Sequence, residues 1–284
     1  MHIALISDTH LMPTAPAFDA NLAAARAFVV DQGITDTIHL GDITADGAAV
    51  PEHLAYAKAR LADWPGTLHV LPGNHDIGDN PGAFGHATVD PVRLARFGTA
   101  FGGERWVLHR AGWTLLGIDA QVFGRGDVLE ETQDRWLDRV LASVTGPIGL
   151  FLHKPLFRDD PADPDPHHRY VPIAPRTKLL ARFAERDLRF VASGHTHQTR
   201  NRHINGIEHV WVPSTAFILP NALQETIGTK DIGMMTLTLE DGPSARHDFT
   251  LVTPPGMIRH NLSDQAHVYP AAEASLRAAP RDDA

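Results

Sequence analysis

The sequence predicts an α/β fold of two stacked sheets, and three observations predict it. Short apolar runs that read as strands alternate with helical patterns through the first half of the chain. From His195 to about Leu251 the chain turns strand-rich, which predicts a second sheet packed on the first. The 284 residues, 43% hydrophobic and 21% charged, suffice to build a proper core.

Residues 3–7 form the first expected strand. Asp19 or Asn21 is placed to cap a helix that carries Leu22, Ala25, Phe28 and Val29 on one face and ends at Gly33. Residues 37–40 follow as a strand. Pro51 suits a helix start, with Leu54, Ala57 and Leu61 at helical spacing. Further strands are expected at 68–71, 106–108, 114–118, 148–152, 189–193, 209–212 and 234–239, and an amphipathic helix at 130–144. Two Gly- and Pro-rich stretches, 78–103 and 159–175, read as loops that rim a site. The domain is expected to span 1–255, leaving 256–284 as a mobile tail or an oligomer arm.

Composition excludes several chemistries. With no cysteine there are no disulfides, thiolate zinc sites or cysteine nucleophiles. The net charge of −9 and the lack of a Lys/Arg run argue against nucleic acid as a partner. No basic leader or long apolar stretch is present, so a cytoplasmic protein without a membrane span is expected. The strand-rich region after Thr215 and the tail are candidate surfaces for a homo-oligomer.

Five blocks carry ligand-type side chains, almost all where a strand-like run gives way to a turn. They are Asp8-Thr9-His10, Gly41-Asp42, Gly73-Asn74-His75-Asp76, His153 and Gly194-His195-Thr196-His197. In an extended backbone residues two apart point the same way, so Asp8 with His10, and His195 with His197, are each placed to ligate one ion. Asp42 has two carboxylate oxygens and is able to bridge two cations. Asn74 offers a neutral oxygen, and His75 beside it a proton or hydrogen bond for a phosphate. Asp76 either orients His75 or caps a helix. His167 and His168 are candidate rim residues. Two adjacent metals are a recurring solution for phosphoester cleavage.

Taken together these blocks resemble the ordered signature of the calcineurin-like metallophosphoesterase superfamily: D-x-H, GD, GNH-D/E, H and GHxH. The resemblance covers residues 8–197 and implies a two-sheet αββα sandwich. It implies one metal held by Asp8, His10, Asp42 and His197, and a second by Asp42, Asn74, His153 and His195. His75 then lies beside the phosphate as a catalytic group with Asp76, and Asn74, His75 and His195 contact substrate. Protein phosphatases of the superfamily show GDxxDRG, but Asp46 stands where their arginine falls. Purple acid phosphatases place a tyrosine ligand where this chain has Ala45. What remains looks most like bacterial class III cyclic-nucleotide phosphodiesterases and glycerophosphodiesterases, with Pro213-Ser214-Thr215 fitting that group.

The resemblance therefore implies a dinuclear-metal hydrolase of small soluble phosphodiesters. The reaction would be attack by a metal-bound hydroxide, with Mn, Fe or Zn suiting the mixed Asp, Asn and His donors better than Ca. A phosphomonoesterase, a nucleotide or lipid-precursor pyrophosphatase, and a non-catalytic scaffold are the competing readings.

Overall fold

Alternate residues of the first strand, β1 (His2–Ile6), serve two different cores. Ile3 and Leu5 face the interior between two sheets, while Ala4 and Ile6 lie under helices on the outer side. The structure, a computed structural model, describes residues 1–83, 85, 87–163, 168–242, 245–270 and 273–278.

The first sheet adds β2 (Asp36–His39) and β3 (Thr67–Val70), both parallel to β1. The second holds β4 (Trp106–Arg110), β5 (Trp113–Gly117), β6 (Ile148–Leu152), β7 (Leu188–Ser193), β8 (Arg200–Ile204) and β9 (Ile207–Trp211). Its order is β4-β5-β6-β7-β9-β8, with β5, β6, β7 and β9 parallel. A short pair joins β10 (Phe217–Ile218) to β13 (His260–Asn261). The late strands β11 (Met234–Leu239) and β12 (His247–Val252) return to the first sheet, whose order is β12-β11-β1-β2-β3. The second half of the chain therefore feeds both sheets, because β11 pairs antiparallel with β1.

Between the sheets, Leu5, Ile38 and Leu71 meet Trp113, Phe151, Phe190 and Val212. Each such buried side chain contributes roughly 1.5–3 kcal/mol. The outer face of the first sheet is covered by α1 (Pro16–Asp31), α2 (Pro51–Leu61) and, past a single turn α3 (Asn74–Ile77), α4 (Pro91–Phe101). The second sheet is covered by α5 (Val128–Leu141) and α6 (Ile173–Arg182). The result is the expected αββα sandwich.

Several expectations are corrected. Neither Asp19 nor Asn21 caps α1: the helix starts earlier, at Pro16, whose ring pre-sets the first turn. Asp19 instead pairs with Arg60 at 3.2 Å, and buried Asn21 clamps the Ile258 backbone from both sides at 2.9 Å. The stretch 78–103 is not all loop, because Asp90 caps α4 through the Arg93 N–H at 2.8 Å. The stretch 159–175 ends inside α6, whose Pro175 lies in the first turn, where backbone N–H groups have no helical partner to lose. The described residues of the stretch 256–284 also pack on the fold. Leu262, Ala266 and Val268, from a 3-10 segment at Leu262–Val268, and Leu276 of α7 (Glu273–Ala278) are buried with Ala15, Phe18, Ala45 and Phe217. His167 lies outside the described residues.

Just past β5, Asp119 is fully buried, and burial pushes its carboxyl up to about 7. A raised carboxyl pKa gives a contribution present at low pH and lost as pH rises through about 7. Asp119→Asn keeps an acceptor for the Gln121 N–H, now 2.8 Å from Asp119. The variant is expected to gain stability over the parent progressively from pH 4 towards 8, by a few kcal/mol at most (~1.4 kcal/mol per pKa unit). A pH-independent difference in melting temperature would contradict this.

Candidate metal centre

All five blocks sit at the carboxyl ends of parallel strands, so topology alone brings them to one edge of the sandwich. Ser7 to His10 follow β1, Asp42 follows β2, Asn74 follows β3, His153 follows β6 and His195 follows β7. This is the edge where open α/β sheets present ligand sites.

The loops are zipped together by backbone bonds: Asp8 N–H to Gly41 O at 3.0 Å, His10 N–H to Asp42 O at 3.1 Å, and Leu11 N–H to Ile43 O at 2.8 Å. Buried His39 braces them. Its ring bonds Thr9 Oγ1 at 2.9 Å and accepts from the Gly41 N–H at 3.2 Å, and burial lowers its pKa to about 3, so it is a neutral strut. Gly73 is required by a close approach, because a Cβ there would lie 2.1 Å from Asp42 Oδ1. Ser214 Oγ donates to the Asp8 carbonyl at 2.9 Å, which gives the Pro213-Ser214-Thr215 stretch a bracing role.

The pairs converge for a different reason from the one expected. Asp8, His10, Asp42, His195 and His197 all adopt positive φ, between 44° and 66°. The chain has left the extended state, and tight left-handed turns, not strand alternation, bring each pair inward. Such residues cost roughly 1–3 kcal/mol each and persist only where surrounding structure enforces them.

The side chains form two overlapping groups. In the first, His197 Nε2 lies 3.4 Å from Asp8 Oδ1 and 3.1 Å from His10 Nε2, which in turn is 3.9 Å from Asp42 Oδ2. In the second, His153 Nε2 lies 3.3 Å from Asp42 Oδ2, 3.2 Å from Asn74 Oδ1 and 3.1 Å from His195 Nδ1. Asp42 is common to both.

These groups fit cations. His197 Nδ1–H donates to the Phe217 carbonyl at 2.7 Å, and His153 Nδ1–H to the Leu40 carbonyl at 2.8 Å, so each Nε2 faces the site. Asp8 Oδ1 is buried with no hydrogen-bond partner. Acceptors crowded this closely repel unless a positive charge lies among them. Without a cation, protons serve that role. Burial opposes the charged forms of both partners, yet the facing imidazoles of His153 and His75 hold Asp42 well below the usual carboxylate range. Asp42 in turn pushes His153 up to about 9.

His75 stands at the rim of both groups, its Nε2 4.0 Å from Asp42 Oδ2 and its Nδ1–H donating to the Ala45 carbonyl at 2.7 Å. Of the two roles expected for Asp76, the contact with His75 is not made and helix capping is, through the Gly73 N–H at the start of α3. The Asp76 carboxylate accepts from the backbone N–H groups of Ile43, Thr44 and Gly73 at 3.1, 2.8 and 2.9 Å, so it fixes the Asp42 loop to the Asn74 loop. Burial, then nearby Asp42, raises its pKa to about 6.

A cleft of about 240 Å³ opens at this centre, lined also by His168, Arg169, Phe217, Leu219, Leu262 and Tyr269. The sequence reading missed Tyr269, whose hydroxyl oxygen lies 2.6 Å from His10 Nδ1. Burial and the surrounding carboxylates raise its pKa well above the ordinary phenol value. No local motif marks Tyr269; it lies 259 residues from its partner. Ala45 is buried against Phe217 and Ala216, and its side chain offers no ligand.

Residues 1–199 match the family model described as calcineurin-like phosphoesterase. A protein of Psychrobacter arcticus named "probable cyclic nucleotide phosphodiesterase" is 25% identical over 247 residues, 76% of this chain and 81% of that protein. Human serine/threonine-protein phosphatase CPPED1 is 27% identical over 146 residues, 49% of this chain and 44% of that one. A dimetal phosphatase from Danio rerio superposes with a TM-score of 0.61 at 14% identity, covering 88% of this chain and 95% of that chain, a likeness of fold alone. Among the described residues no helix is long and apolar enough to cross a membrane.

Proposed function

This chain belongs to the calcineurin-like phosphoesterase family of metal-dependent phosphoric ester hydrolases, and on that premise we propose that it cleaves small phosphodiesters of the cyclic-nucleotide or glycerophosphodiester type. The observation that carries the reading is Asp42, one carboxylate set between two complete donor groups. Asp8, His10, Asp42 and His197 would hold one ion, and Asp42, Asn74, His153 and His195 the other. The nitrogen and oxygen donors suit Mn, Fe or Zn. Bound there, two cations supply an activated water and a clamp on phosphate oxygens.

The chain's own residues do the rest. Asp8 and Asp42 would offset only part of the charge of two divalent ions, leaving a net positive site suited to an anionic diester. His75, with Nδ1–H held by the Ala45 carbonyl, keeps Nε2 towards the space between the groups, where it serves as donor to a phosphate oxygen or to the leaving alcohol. Asp46 in place of a phosphate-gripping arginine, and Ala45 in place of a tyrosine ligand, support a diester over the substrates of those two branches.

Rates on bis-(p-nitrophenyl) phosphate and on p-nitrophenyl phosphate, after chelation and with Mn²⁺ restored, test the proposal. Preference for the diester is the expected result. Preference for the monoester would replace it with a phosphomonoesterase, and no turnover with Mn²⁺, Fe²⁺ or Zn²⁺ would replace it with a scaffold. A further expected result concerns Asn74→Ala. Its loss removes one oxygen from the second group only, so metal titration is expected to show one equivalent weakened about 10–100-fold, the scale of a disturbed metal site. Equal weakening of both equivalents would contradict the ligand assignment.

A further inference from the structure

We propose that Tyr269 is a positioning residue for the first metal position, so that the C-terminal segment completes the site. The inference rests on the two-metal reading above. Four imidazoles around the centre bond through Nδ1 to groups outside the two donor sets, and for three of these the partner is a backbone carbonyl. His153 is fixed by Leu40, His197 by Phe217 and His75 by Ala45, all through backbone carbonyls at 2.7–2.8 Å. His10 differs. Its Nδ1 meets a side chain, the Tyr269 hydroxyl oxygen, at 2.6 Å.

The tautomer follows from the donors around His10. Its Nε2 faces Asp8 Oδ1 at 4.0 Å, Asp42 Oδ2 at 3.9 Å and His197 Nε2 at 3.1 Å, so a ligating His10 presents a lone pair there. Nδ1 then carries the hydrogen and donates it to Tyr269. A hydrogen bond of this kind fixes the ring orientation and raises the basicity of the ligand nitrogen. Without the hydroxyl, nothing among the described residues holds the Nδ1 edge of His10 but ring packing, as with Phe217 at 4.8 Å between centroids.

Tyr269 is itself anchored. Leu262, Ala266 and Val268 are buried beside Phe18 and Phe217, and the Asn21 side chain grips the Ile258 backbone at the entry to the segment. The His267 ring bonds the Thr14 carbonyl at 3.1 Å, next to the loop that carries His10. The Tyr269 ring stands 5.3 Å from that of His75 and lines the cleft. The hydroxyl thus reaches His10 from a segment packed as core, not from a passing loop.

Mn²⁺ titration by calorimetry, on chelated parent and Tyr269→Phe proteins, tests this without relying on turnover. Phenylalanine keeps the ring and its packing and removes only the acceptor. The parent is expected to bind two equivalents. The variant is expected to bind one of them about 10–100-fold more weakly, with the metal-free melting temperature little changed. The weakened equivalent should be the one that Asn74→Ala spares, so the double variant weakens both. Two equivalents at parental affinity in Tyr269→Phe would overturn the inference. So would a parallel loss at both equivalents with a lower melting temperature, which is the mark of a scaffold role. Fewer than two equivalents in the parent would overturn the two-metal reading itself.

Discussion

Asp42→Ala is expected to abolish high-affinity binding at both metal positions and to lower turnover by at least ~10²–10³-fold, the scale for loss of one preorganised electrostatic group. The reason is geometric. Asp42 Oδ2 lies 3.9 Å from His10 Nε2 in one group and 3.3 Å from His153 Nε2 in the other, so no neighbour duplicates it. Its Oδ1 also accepts from the His75 N–H at 2.9 Å, tying the two loops. Removing a buried carboxylate that faces imidazoles leaves their charge uncompensated, which is strongly destabilising for a buried pair. Asp42→Asn separates the effects, since it keeps an acceptor for the His75 N–H and removes the shared charge. Metal analysis of both variants after dialysis checks the expectation. Two retained equivalents with parental turnover would sink the shared-carboxylate reading.

His75→Ala is expected to leave metal content intact and to slow cleavage of esters with alkyl leaving groups by about 10²–10⁴-fold, the range of general acid–base catalysis. The His75 backbone N–H that supports Asp42 survives the substitution, so the ligand cage keeps its geometry. What is lost is the imidazole whose Nδ1–H is held by the Ala45 carbonyl and whose Nε2 faces the centre. An alkoxide of high pKa needs a proton as it departs, whereas nitrophenolate does not. The loss on bis-(p-nitrophenyl) phosphate is therefore expected to be the smaller. Equal losses for both leaving-group types would assign His75 to phosphate binding instead of proton transfer.

Much of this site was legible because its residues come in short local blocks. A candidate ligand pair such as Asp8 and His10, or His195 and His197, is written within three residues, and the strand before it is a plain apolar run. The backbone behind the pattern was not legible. Left-handed dihedrals at non-glycine residues run against intrinsic preference, and only the zipped loops around them make that conformation hold. Asp76 carries the same lesson. Beside His75 in sequence, it points at the Thr44 and Gly73 backbone, because a helical turn sends successive side chains in different directions.

The missed elements have weaker local signals. Helix α4 has one fully buried side chain, Phe97, and its start was marked only by Asp90-Pro91. Strands β8 and β12 alternate exposed and half-buried residues, so neither shows an apolar run. By itself the sequence determined the order of strands that end in ligand-type side chains, the identity of those side chains and the two-sheet α/β class. Each of these is a matter of local pattern and side-chain chemistry. Tertiary structure alone decided that the late strands return to the first sheet, and that the supposed tail brings Tyr269 to His10. Such contacts span more than 200 residues and are set by which buried surfaces fit together, information that no local pattern carries.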